Sequence, residues 1–158
     1  MNLNKIIEIK LQKEKDQIKQ LISNINLKNL DNFDKLVKLS LSRLKKKNKI
    51  IFYGNGGSAA DAQHLATELT VRFKKNRKAI PALSLSTDTS ALTAIGNDFG
   101  FNKIFSRQID ALGLPGDIAI AISTSGNSQN LIHAAKMAKK KKIFTFCFSG
   151  NNGGKLRN

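Results

Sequence analysis

Acidic residues are scarce in this chain: 11 Asp and Glu stand against 27 Lys and Arg, a formal net charge of +16. Such an imbalance raises nucleic acid or an anionic membrane as a partner. No nucleic-acid motif and no basic patch interleaved with aromatics accompanies it. The tightest lysine groups, Lys45-Lys46-Lys47, Lys74-Lys75 and Lys139–Lys142, fall at or near helix ends, where a cation is locally favourable. The excess therefore reads as a solvated surface, with no nucleic acid and no membrane as partner. The single cysteine, Cys147, excludes an internal disulfide. Within the apolar run Ile143–Phe148 it reads as a small buried hydrophobe. No apolar run approaches the length that spans a membrane. Charges are scattered through Met1–Gln20, unlike a signal peptide, so the cytoplasm is the expected compartment. No internal repeat or low-complexity linker marks a second domain, and 158 residues can bury a real core.

What is present is ordered. Residues 3–24 and 28–46 carry apolar residues at helical spacing, from Ile6, Ile7 and Leu11 to Leu21 and Ile22, then Phe33, Val37 and Leu41. They predict two antiparallel helices joined near Asn24–Leu27, with stripes suited to core or oligomer contacts. Strand candidates follow at Ile50–Tyr53, Ala79–Leu85, Asp117–Ile122 and Lys142–Phe148, alternating with helical patterns. That alternation predicts an α/β domain, a parallel sheet with helices on both faces in three layers, preceded by the N-terminal helical segment 1–47.

Two loops carry the chemistry. The first strand stops at Gly54-Asn55-Gly56-Gly57-Ser58, and a helix then brings His64 and Glu68 onto one face. This is not a phosphate-binding Gly-Lys-Ser/Thr loop, and it lacks the third glycine of the dinucleotide pattern. It still sets backbone N–H groups at a helix start, followed about two turns later by an imidazole and a carboxylate. Such a set can hold a small oxygen-rich substrate and move a proton on it. The strand at Asp117–Ile122 runs into Ser123-Thr124-Ser125-Gly126-Asn127-Ser128 before a helix from Gln129 to Lys140. A helix cap needs one hydroxyl; four suit a phosphate. Both loops fall at carboxyl ends of strands, where ligands of such sheets bind. A third run, Gly96-Asn97-Asp98-Phe99-Gly100-Phe101-Asn102, reads as a turn between two helices. His133 reads as a surface or packing residue.

Gly-Asn-Gly-Gly-Ser, Asp-Ala-x-His-x-x-x-Glu-Leu, Gly-Asn-Asp-Phe-Gly-Phe and Ile-Ser-Thr-Ser-Gly-Asn-Ser occur here in the order seen in phosphoheptose isomerases, and the stretch from about Leu36 to Lys155 resembles that family. The resemblance implies a sugar-isomerase (SIS) domain of flavodoxin-like build. It implies an enzyme that converts sedoheptulose 7-phosphate to a heptose 7-phosphate through a cis-enediol, for lipopolysaccharide core synthesis. By the same resemblance Asn55, Gly56, Gly57, Ser58, Asn97 and Asp98 contact substrate, and Ser123, Thr124, Ser125 and Ser128 hold its phosphate. His64 and Glu68 bind zinc, and Glu68 is also the catalytic base. Family members assemble as homotetramers.

Two alternatives remain open on the sequence: a non-catalytic SIS protein that binds a replication initiator, and a module that senses a sugar phosphate without turnover. The first resembles this chain in fold but lacks the glutamate at Glu68 and the Gly-Asn-Asp-Phe-Gly run. The family also continues into a strand and a terminal helix with a glutamine and a histidine that complete the metal and acid–base set. None of the 158 residues matches these, so the chain reads as a C-terminally truncated member, expected to bind substrate better than it turns it over.

Overall fold

The computed structural model describes residues 2–25, 30–150 and 152–157. Two compact units are present, Met1–Lys38 and Leu39–Asn158. Helix α1 (Leu3–Asn24) starts at Asn2, whose side chain accepts from the Asn4 amide, and buries none of its residues. Helix α2 spans Asp31–Lys45, with Asp31 and Asp34 in its first turn and Arg43 and Lys45 in its last. That polarity suits the helix dipole. Of the expected join near Asn24–Leu27, Asn26 and Leu27 lie outside the described residues.

In the second unit β1 (Ile50–Gly54), α3 (Gly57–Thr70), β2 (Ala82–Ser84), α4 (Thr89–Phe99), α5 (Ile104–Leu112), β3 (Ile118–Ser123), α6 (Gln129–Lys140) and β4 (Phe144–Ser149) follow in order. The four strands form one parallel sheet in the order β2-β1-β3-β4. Apolar runs such as Ile-Ala-Ile-Ala-Ile of β3 are what a strand covered on both faces needs. Ile51, Tyr53, Ala119 and Ala121 face α5 and α6, packing with Phe105, Ile109, Leu131 and Ala134. Each fully buried Ile or Leu contributes about 1.5–3 kcal/mol of transfer free energy. Helix α3, whose buried Ala62 and Ala66 lie outside that cluster, packs on β1 and β2.

Three details differ from the sequence expectation. Strand β2 is limited to Ala82–Ser84: Pro81 has no N–H to give, and the Ile80 amide goes to the Leu69 carbonyl at the end of α3. The run Gly96-Asn97-Asp98 is not a turn but the last part of α4, which ends at Gly100 with φ 83°. Leu92 and Ile95 pack on the core and carry the helix past Gly96. Cys147 is half-buried rather than buried, and burial pushes its thiol up, partly countered by a hydrogen bond from Ser149. His133 behaves as expected of a packing residue, its Nδ1 3.1 Å from the Asn102 carbonyl oxygen.

At the amino end of the sheet Asp117 is fully buried just before β3. Its Oδ1 accepts from Asn48 Nδ2 at 3.1 Å and from the Lys49 amide at 3.0 Å. Its Oδ2 accepts from Lys49 Nζ at 2.6 Å and the Leu114 amide at 2.9 Å. Burial pushes this carboxyl up, but the hydrogen bonds from Lys49, Leu114 and Asn48 outweigh it and hold the carboxyl below its ordinary value.

Candidate active site

The chain leaves β1 toward β2 on one side and later returns to lay β3 on the other. The loops after β1 and β3 therefore diverge, and an open cleft of about 170 Å³ lies between them. Asn55 and Ser58 line it from the glycine turn; Ser123, Thr124, Ser125 and Ser128 line it from the serine loop.

The glycine turn is shaped by close approach. Gly54 ends β1 where a Cβ would stand 2.6 Å from the Ser58 carbonyl oxygen. Gly56 has φ 56° and precedes α3 without a side-chain cap. The Asn55 side chain turns inward to Asn130: Nδ2 of Asn55 donates to Oδ1 of Asn130 at 3.0 Å, and Nδ2 of Asn130 donates to Oδ1 of Asn55 at 2.8 Å.

Two hydroxyls of the serine loop hold the loop itself. Ser123 Oγ accepts from the Gly126 amide at 3.0 Å and Ser125 Oγ from the Asn127 amide at 3.2 Å. Ser128 stands at the N-cap of α6 without a side-chain cap bond, so its hydroxyl is not used up in capping. The segment after β4 braces this loop from behind. The Leu156 amide donates to the Gly126 carbonyl at 3.0 Å, and the Lys155 amide to Oδ1 of Asn127 at 3.1 Å. The backbones meet so tightly that a Cβ on Gly126, which has φ 66°, would collide with the Gly153 carbonyl.

His64 and Glu68 lie on α3, with Nε2 of His64 3.8 Å from Oε1 of Glu68. The imidazole is largely exposed. Oε2 of Glu68 is buried and makes no hydrogen bond. An unpartnered buried carboxylate oxygen beside an imidazole suits a cation, and these donor types suit zinc. They amount to two donors: no group of three His, Cys, Asp or Glu is arranged for a metal among the described residues. The end of α3 is held by Arg77, which donates to the carbonyls of Glu68 at 2.6 Å and Leu69 at 2.9 Å.

Of the residues named from sequence, the cleft gathers Asn55, Ser58, Ser123, Thr124, Ser125 and Ser128. Gly56, Gly57, His64, Glu68, Asn97 and Asp98 do not line it. Asn97 and Asp98 are exposed at the end of α4, where Nδ2 of Asn97 donates to Oδ1 of Asp98 at 2.9 Å. Asn130 and Arg77 went unread in the sequence. The one available signal for Asn130 is a poor helix former directly before the apolar residues of α6.

The fold and the cleft define a sugar-isomerase type α/β domain, and residues 15–150 match the SIS domain model. The phosphoheptose isomerase of Aquifex aeolicus is 58% identical over 113 residues, covering 72% of this chain and 59% of that protein. That of Sulfurimonas denitrificans is 50% identical over 145 residues, covering 91% of this chain and 73% of that protein. The solved phosphoheptose isomerase of Neisseria gonorrhoeae superposes with a TM-score of 0.83 at 41% identity, covering 99% of this chain and 79% of that one. The chain belongs to the SIS domain family, among the phosphoheptose isomerases. It spans 59% to 65% of the length of the first curated relatives it matches.

Proposed function

We propose that the protein serves as a phosphoheptose isomerase, converting sedoheptulose 7-phosphate to D-glycero-D-manno-heptose 7-phosphate through an enediol, for lipopolysaccharide core synthesis in the cytoplasm. The observation that carries this reading is the cleft at the reversal of strand order, lined by four hydroxyl residues of one loop and faced by the glycine turn of the other. The Ser123–Ser128 loop anchors the distal phosphate, so binding remote from the reaction orients the reacting end. Glu68 moves a proton between C1 and C2. In support of this role, its carboxylate is 28% exposed and one of its oxygens has no hydrogen-bond partner. His64 and Glu68 would hold zinc together with donors beyond the described residues. Zinc, when bound, polarises the substrate's carbonyl and hydroxyl oxygens. The apolar residues exposed along α1 support assembly with further copies of the chain, as a homotetramer. No helix among the described residues is long and apolar enough to cross a membrane.

Calorimetric titration of sedoheptulose 7-phosphate tests the phosphate assignment. A Ser123→Ala, Ser125→Ala, Ser128→Ala variant should bind at least tenfold more weakly, since each charge-assisted hydrogen bond contributes roughly 1.5–3 kcal/mol. Equal affinity would sink it. Isomerisation assays test the base: Glu68→Gln should cost about 10²–10⁴-fold in rate, and full activity in that variant would show the base to be elsewhere.

A further inference from the structure

Asn130 is 2% exposed, one of few polar side chains buried in the sheet domain, and both ends of its amide meet the Asn55 side chain of the glycine turn. The pairing with Asn55 is reciprocal, each side chain both donating and accepting. Its direction is fixed by a third bond. The Leu131 amide donates to Oδ1 of Asn130 at 3.0 Å, so this atom must be the oxygen, and Nδ2 must face Asn55. Asn55 in turn must present oxygen to that nitrogen. Neither amide can flip without setting donor against donor or acceptor against acceptor.

The position of this pair matters more than its existence. Asn55 belongs to the glycine turn after β1, and Asn130 opens the first turn of α6, after the serine loop. Strands β1 and β3 are hydrogen-bonded neighbours as far as Gly54 and Ile122, and beyond that point the sheet no longer ties the two loops together. The Asn55–Asn130 clasp begins where the ladder ends. Both loops line the cleft, so their separation sets its width. The Asn55 side chain, oriented by Asn130, fixes the turn whose following residues start α3.

We propose that Asn130 is a positioning residue: through Asn55 it holds the glycine turn at the distance from the serine loop that lets both contact one sugar phosphate. The proposal rests on the sugar-phosphate reading above and adds to it a residue that touches no substrate. It accounts for a buried polar side chain that an apolar residue would replace more cheaply if the position served only the core.

The test combines a ligand-free readout with a ligand-dependent one, on Asn55→Ala, Asn130→Ala, Asn130→Asp and the Asn55→Ala, Asn130→Ala double variant. Asn55→Ala breaks the clasp from its half-buried side and leaves Asn130 in place, which guards against a variant that fails to fold. Asn130→Asp keeps the shape and removes the donor to Asn55. Without ligand, amide hydrogen exchange at residues 55–58 should speed up in every variant, and the protected side-chain amide protons of Asn130 should lose their protection in Asn55→Ala. With sedoheptulose 7-phosphate, each single variant should bind about tenfold more weakly, the equivalent of one lost hydrogen bond. The double variant should be no weaker than Asn55→Ala alone, because Asn130 acts through Asn55. Unchanged exchange at residues 55–58, or losses that multiply in the double variant, overturns the proposal. If the parent protein itself gives no heat with the sugar phosphate, the functional reading falls, and the exchange and side-chain signals still decide the clasp.

Discussion

The ammonium of Lys49 sits 2.6 Å from Oδ2 of Asp117, a carboxylate with no solvent exposure. The pair joins the residue before β1 to the residue before β3, at the end of the sheet remote from the cleft. The Phe144 amide also donates to the Asp117 carbonyl at 2.9 Å, so three strand starts converge on one residue.

The carboxyl of Asp117 is held below its ordinary value, so its contribution to stability is present above the unfolded value of about 3.9 and is lost as pH falls through the folded one. Melting followed by circular dichroism should show the parent losing stability below about pH 4, and Asp117→Asn lacking that component. At neutral pH the substitution should cost on the order of 3 kcal/mol, the low end for a broken buried pair, because Lys49 can still reach water. A neutral-pH melting temperature equal to the parent's would contradict this.

Two glycines should respond in opposite directions. Gly126→Ala must accommodate a side chain against the Gly153 carbonyl at φ 66°, and it should lower the melting temperature and abolish sugar-phosphate binding. Gly96→Ala places its Cβ 4.0 Å from Ile104 inside α4 and should stabilise by up to about 1 kcal/mol. Thermal melts of both variants in parallel make the comparison.

Zinc uptake should depend on His64 and Glu68 together. Equilibrium dialysis against zinc, read by metal analysis, should show less bound metal for His64→Ala and for Glu68→Gln than for the parent. Equal occupancy in all three would remove both residues from the metal site.

Leu3, Ile7, Leu11, Ile18, Leu21 and Ile22 of α1 are each 52% exposed or more. Our proposal of self-assembly predicts that a second copy of the chain covers this stripe. Light scattering at micromolar concentration should give a mass several times 17.4 kDa, and Leu21→Lys with Ile22→Lys should reduce it. A monomeric parent would speak against the assembly.

Much of this architecture is legible in the sequence because buried parallel strands are written as uninterrupted apolar runs. Ile-Ala-Ile-Ala-Ile cannot pass for a surface segment, and the two polar loops stand out against such runs. The misreading at Gly96-Asn97-Asp98 has the opposite cause. These residues favour turns locally, but the packing of Leu92 and Ile95 on the core sustains the helix through them. Asn130 and Arg77 escape for a third reason. Their partners, Asn55 and the carbonyls of Glu68 and Leu69, are defined by the folded backbone and by no spacing along the chain.

The glycine contact behind the serine loop bears on how this cleft can be re-engineered. Gly126 and Gly153 pass backbone against backbone, and Lys155 and Leu156 hydrogen-bond to Asn127 and Gly126. The serine loop is therefore not a detachable cassette. Transplanting residues 123–128 alone into another scaffold would leave their carbonyls unmatched and their curvature unsupported. A working graft has to move the loop and the tail that follows β4 as one piece, and a library that diversifies one must let the other vary with it.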